Sequence, residues 1–182
     1  MKKELLFSGI GGQGIMNLGE ILCAAAIKAG YNVTFSPVYG AEKRGGRTMC
    51  NIVISSEIEC QIVSEADVML IMDEGSLADY QHLAGEQGVL ILSAQVETEP
   101  DCPCKNIKRI PFVETAMQLG NAKVANMIAL GYVLKQLDFI PYSYAEDLIR
   151  ETFAAKAKLI PLNLEALKTG YEYDARAERS TR

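Results

Sequence analysis

The sequence has no long apolar run, no surplus of basic residues and little histidine or cysteine, and each shortage removes a class of function. No uninterrupted apolar segment reaches the roughly 20 residues that span a bilayer, so membrane insertion is not expected. Lys and Arg number 18 against 23 Asp and Glu, a net charge of -5. That balance argues against a nucleic-acid partner, because tracking a phosphate backbone takes basic patches that release counterions. Small acyl-CoA or phosphate ligands stay open, since a few local basic groups suffice for them. Met1-Lys2-Lys3-Glu4 leads into a short apolar run and then glycines, without the continuous apolar region and cleavage site of a secretory signal, so a cytoplasmic location is expected. The five cysteines, Cys23, Cys50, Cys60, Cys102 and Cys104, are odd in number and scattered, which suits reduced thiols better than a disulfide framework. Cys102-Pro103-Cys104 is the one close pair and supplies at most half of a tetrahedral metal site, so it reads as loop thiols and no metal centre is expected. His82, the single histidine, lies in a polar helical stretch away from any Ser or Cys nucleophile, the setting of a surface residue.

What is present is a core. At 182 residues and 49% hydrophobic content, the chain suits one domain, and no repeat or linker divides it. Lys3 to Ser8 reads as a short strand ending in a glycine cluster, after which Ile15, Leu18, Leu22, Ala25 and Ala29 recur at helical spacing as far as Gly30. Asn32 to Phe35 reads as a second strand and Pro37 to Arg47 as a long glycine-bearing loop. Met49–Ile54 and Glu57–Val63 read as an antiparallel hairpin turning at Ser55-Ser56. Val68–Met72 and Val89–Leu92 are unbroken apolar runs of the kind buried in parallel sheets, separated by a helix over Ser76–Ala84. Ile107–Ile110 adds an edge strand, and from Val113 the pattern is helical with breaks at Gly120-Asn121, Pro141 and Pro161. The expected fold is a three-layer α/β/α domain with a mostly parallel or mixed central sheet and a Rossmann-like glycine-rich first turn, over residues 1–170. A charged, flexible tail over 171–182 should follow.

Two constellations carry chemistry. Gly9-Ile10-Gly11-Gly12-Gln13-Gly14 follows a strand and opens a helix, the G-x-G-x-x-G pattern that lets a ligand phosphate approach backbone amides. A dinucleotide site also wants an acid at the end of the second strand, and Asn32-Val33-Thr34-Phe35-Ser36-Pro37 has none. The glycines therefore serve a nicotinamide or flavin nucleotide, another phosphate, or close strand–helix packing alone. The second is Tyr39-Gly40-Ala41-Glu42-Lys43-Arg44-Gly45-Gly46-Arg47, where three basic residues among glycines could receive a phosphate, a carboxylate or a partner's acidic surface, or form a solvated loop. Asp73-Glu74 reads either as an acid pair at the sheet edge or as a helix cap. Asn121 reads as a cap, and Asn126 as a partner contact.

In this order, Ser8-Gly9-Ile10-Gly11-Gly12-Gln13-Gly14-Ile15 and then Tyr39 to Gly46 resemble the γ subunit of 2-oxoacid:ferredoxin oxidoreductases, and within them the 2-oxoglutarate members. The likeness continues through Asn51-Ile52-Val53-Ile54-Ser55, Ala66-Asp67-Val68, Gly120-Asn121 and Ala125-Asn126-Met127, while Lys43 and Arg47 make the loop more basic than the family pattern. The resemblance implies a complex that turns a 2-oxoacid, coenzyme A and oxidised ferredoxin into acyl-CoA, carbon dioxide and reduced ferredoxin. It places thiamine diphosphate, Mg2+ and iron–sulfur clusters on partner subunits: α and β thiamine-binding subunits and a ferredoxin-like subunit. On this chain no cofactor is expected, apart from coenzyme A at the interface, held by Gly9, Gly11, Gly12, Gln13, Gly14, Lys43, Arg44, Gly45, Gly46 and Arg47. In agreement, the sequence has no Gly-Asp-Gly thiamine diphosphate motif and no cysteine run for a cluster. The rival expectations are a free-standing Rossmann-like nucleotide-binding protein or dehydrogenase, and a subunit of an indolepyruvate or branched-chain 2-oxoacid enzyme.

Overall fold

A computed structural model describes residues 1–40, 46–57 and 62–174. Six strands form one sheet in the order β2-β3-β1-β4-β5-β6. They are β1 (Lys2–Ile10), β2 (Asn32–Tyr39), β3 (Arg47–Ser55), β4 (Ala66–Ile71), β5 (Ala84–Ser93) and β6 (Ile107–Ile110). The helices are α1 (Ile15–Lys28), α2 (Glu74–Tyr80), α3 (Phe112–Gln118), α4 (Ala125–Lys135), α5 (Tyr142–Thr152) and α6 (Ile160–Glu172). β1, β4, β5 and β6 run parallel, while β3 is antiparallel to both β1 and β2, so the sheet is mixed. The expected α/β/α layering is present.

Alternation along each strand builds two cores. Leu5, Phe7, Ile52, Ile54, Leu70 and Ile91 face α1 and the helical carboxyl-terminal half, whereas Leu6, Val53, Met69, Ile71, Leu90 and Leu92 face α2 and the connection after β5. Strands buried on both faces read as continuous apolar runs, which is why β4 and the end of β5 were legible. β1 connects through α1 toward β2 on one side, and β4 connects through α2 toward β5 on the other. A right-handed crossover moving in opposite directions puts its helix on opposite faces, so the carboxyl ends of β1 and β4 form the topological switch point where ligands bind in such sheets.

The hairpin expected from Met49–Ile54 and Glu57–Val63 is not formed. Both edges of β3 are already occupied, by β1 from Lys2↔Ser55 to Ile10↔Arg47 and by β2 from Asn32↔Ser55 to Tyr39↔Thr48. Residues 58–61 lie outside the described residues, and Ile62 and Val63 are in no strand. The loop expected from Pro37 is also shorter, because β2 continues through Pro37 to Tyr39; a proline is tolerated there since β2 is the sheet edge. α6 runs on through Tyr171 and Glu172, two residues placed in the tail by sequence, and residues 175–182 lie outside the described residues.

Candidate functional site

The first turn is held by its own side chains. The Ile10 amide donates to Gln13 Oε1 at 2.8 Å, the Gln13 amide to the Ile10 carbonyl at 3.1 Å, and Gln13 Nε2 to the Met72 carbonyl at 3.2 Å. Gln13 thus ties the carboxyl end of β1 to the residue that follows β4, across the switch point. The Gly11 amide donates to the Gly46 carbonyl at 2.9 Å, and the Gly40 amide donates to the Arg47 carbonyl at 2.8 Å. Three of the first-turn amides that a pyrophosphate could use, those of Ile10, Gly11 and Gln13, are therefore spent within the protein. β2, moreover, carries no acid for a ribose.

Gly14 caps α1 in the left-handed region, at φ 76°, and a β-carbon there would lie 2.4 Å from Asn126 Nδ2. Asn126 is 8% exposed and donates to the Gly14 carbonyl at 3.3 Å, so α4 is clamped under the start of α1. No side chain caps α1 and no acid lies in its first turn, so its positive amino-terminal end is not offset by a side chain of its own. Beside it is a cavity of about 240 Å³ with walls from Met72, Val113, Ala122 and Ala125, completed by Gly12, Gln13 and Lys123.

The expected basic loop is brought only partly into view. Gly46 and Arg47 sit at its base, whereas Lys43, Arg44 and Gly45 lie outside the described residues. Arg47 reaches α2, donating to the Gly75 carbonyl at 2.9 Å and pairing with Asp79, rather than turning over the glycines. Asp73 caps α2, accepting from the Ser76 amide at 3.1 Å and from the Ser76 hydroxyl. Glu74 accepts from the Glu97 and Thr98 amides; the Thr98 side chain and those two amides hold its carboxyl below the usual range. The pair is thus a cap and a loop anchor. Asn121 accepts from the Lys123 amide at 3.0 Å as a cap, and His82 is exposed in a short 3-10 turn. Cys104 is buried against the Gly88 and Asn106 carbonyls, and Cys102 is half-buried beside it.

The model of the pyruvate ferredoxin/flavodoxin oxidoreductase family matches residues 4–173. The chain belongs to this family. Ketoisovalerate oxidoreductase subunit VorA of Methanothermobacter thermautotrophicus is 30% identical over 168 residues, 91% of this chain and 35% of its own length. The gamma subunit of a keto/oxoacid ferredoxin oxidoreductase from Geobacter sulfurreducens superposes with a TM-score of 0.80 at 28% identity, covering 93% of this chain and 96% of that one. The 2-oxoglutarate:ferredoxin oxidoreductase of Magnetococcus marinus, solved with 2-oxoglutarate, coenzyme A and succinyl-CoA bound, gives a TM-score of 0.83 at 25% identity, covering 93% of this chain and 30% of that one. The chain spans about a third of the length of the first curated relatives it matches. In this member of the oxidoreductase family, two site features escaped sequence reading. The Gln13 bridge lay hidden inside a glycine motif, and Lys123 carries no signal beyond following a capping Asn. No helix among the described residues is long and apolar enough to cross a membrane.

Proposed function

We propose that this chain is the gamma subunit, without thiamine diphosphate of its own, of a complex that converts 2-oxoglutarate, coenzyme A and oxidised ferredoxin into succinyl-CoA, carbon dioxide and reduced ferredoxin. The observation that carries the reading is the likeness to a gamma subunit over 96% of that subunit's length. Thiamine diphosphate with Mg2+, and iron–sulfur clusters, belong in this reading to α, β and ferredoxin-like partners. This reading places none of those groups on this chain. No step of the chemistry is assigned to this chain.

Its role is to complete a coenzyme A site at the interface. The uncapped start of α1 and the basic residues Lys43 and Arg44 are the groups suited to a phosphate, since the Ile10 and Gly11 amides and Arg47 are already engaged. The likeness to VorA supports a second reading, in which the 2-oxoacid is ketoisovalerate. Anaerobic co-purification of the tagged chain, with a viologen-linked assay, separates these readings. Larger thiamine-binding subunits and coenzyme A-dependent reduction are expected with 2-oxoglutarate; reduction with 2-oxoisovalerate alone selects the second reading. A chain that elutes alone and binds a dinucleotide overturns both.

A further inference from the structure

The cavity beside the first turn has a composition that the coenzyme A reading does not use. Met72, Val113, Ala122 and Ala125 give it apolar walls, and Lys123 is the one charged residue in its lining. Among the described residues the Lys123 ammonium forms no ion pair, although six other salt bridges occur. Met72 and Ala125 are nearly fully buried, whereas Ala122 and Lys123 are exposed, so the cavity runs from the core outward to the cation. An apolar recess with a single uncompensated positive charge at its exposed end selects an anion with an aliphatic body. Its volume of about 240 Å³ suits a small aliphatic acid.

We propose that this cavity is a binding site for a short-chain aliphatic carboxylate, with the chain in the recess and the carboxylate on Lys123. All of the residues that line it belong to this chain. Because Gln13 lines the cavity and also holds Met72, an occupant would press on the link between β1 and β4.

The test is methyl NMR of the full chain, labelled at Met, Val and Ala, titrated with isobutyrate and 2-oxoisovalerate, and with isobutyramide as the neutral isostere. Saturable shifts of Met72 and Val113 with the acids are expected. Binding should be at least about tenfold weaker for the amide and in Lys123→Met, the loss that follows removal of a charge-assisted contact, and absent in Ala122→Phe, which fills the opening. No saturation in the parent chain, equal affinity for acid and amide, or unchanged affinity in Lys123→Met each overturns the proposal. So does a result in which coenzyme A shifts Met72 and Val113 while the short acids do not. Binding to the chain by itself is the readout, so its failure is distinct from failure of the subunit assignment.

Discussion

Replacing Gly170 with alanine drives a methyl group into the backbone of the neighbouring helix. At the crossing of α4 and α6, a β-carbon on Gly170 would lie 1.9 Å from the Ile128 carbonyl oxygen, and one on Gly131 would lie 2.0 Å from that of Leu167. Both obstacles are backbone atoms, so no rotamer change relieves them. The helices must separate by about 1.5 Å to restore ordinary contact, opening a layer that includes Ile128, Ala129, Ala166 and Leu167, all fully buried. Overpacking of this kind costs about 3 kcal/mol, offset by about 1 kcal/mol of helix propensity gained on leaving glycine. The net loss of about 2 kcal/mol lowers the melting temperature by about 4–8 °C in a chain of this size, read by circular dichroism. Gly131→Ala should do the same, and the double variant should lose less than the sum, because the first methyl already parts the helices for the second. A melting temperature that rises in Gly170→Ala would refute the reasoning, since propensity alone would then have decided the outcome.

Three further outcomes follow from the site and the core. Gln13→Ala removes the bonds to the Met72 carbonyl and the Ile10 amide and should lose about 0.5–1.5 kcal/mol in urea unfolding; Gln13→Glu should not restore it, because a carboxylate cannot donate to Met72. Burial raises the Cys23 thiol to about 12, and burial together with nearby Cys23 pushes Cys50 higher still. Folded thiols thus keep their protons above pH 9 while unfolded ones lose them, so stability is intact below that point and falls as pH rises, by about 1.4 kcal/mol per unit for each thiol. The decline between pH 9 and 10.5 should be shallower in Cys23→Ala/Cys50→Ala than in the parent chain. Arg47→Ala breaks an exposed pair and should cost less than about 1 kcal/mol in stability, whereas Arg44→Ala should weaken complex assembly or raise the apparent Michaelis constant for coenzyme A. Equal assembly and kinetics in Arg44→Ala would remove the loop from the coenzyme A site.

Residues close in sequence determined what the sequence could settle. Apolar spacing over Ile15–Ala29, the unbroken runs in β4 and β5, and the glycines between strand and helix are patterns read within a few turns or strand lengths. They marked the α/β class, the strand–turn–helix opening and the family resemblance. The same local reading misplaced the partner of β3, because two apolar runs separated by Ser55-Ser56 look alike whether they pair with each other or with strands earlier in the chain. Only the tertiary structure put β3 between β1 and β2, and set Gln13 against Met72, 59 residues on, and Asn126 beneath Gly14, 112 residues away. It likewise sent Arg47 to Asp79 on α2 and brought Gly131 and Gly170 into backbone contact. Such pairings depend on which faces meet once the sheet has twisted and its crossovers have closed, and that choice belongs to packing over the whole chain rather than to any window of it.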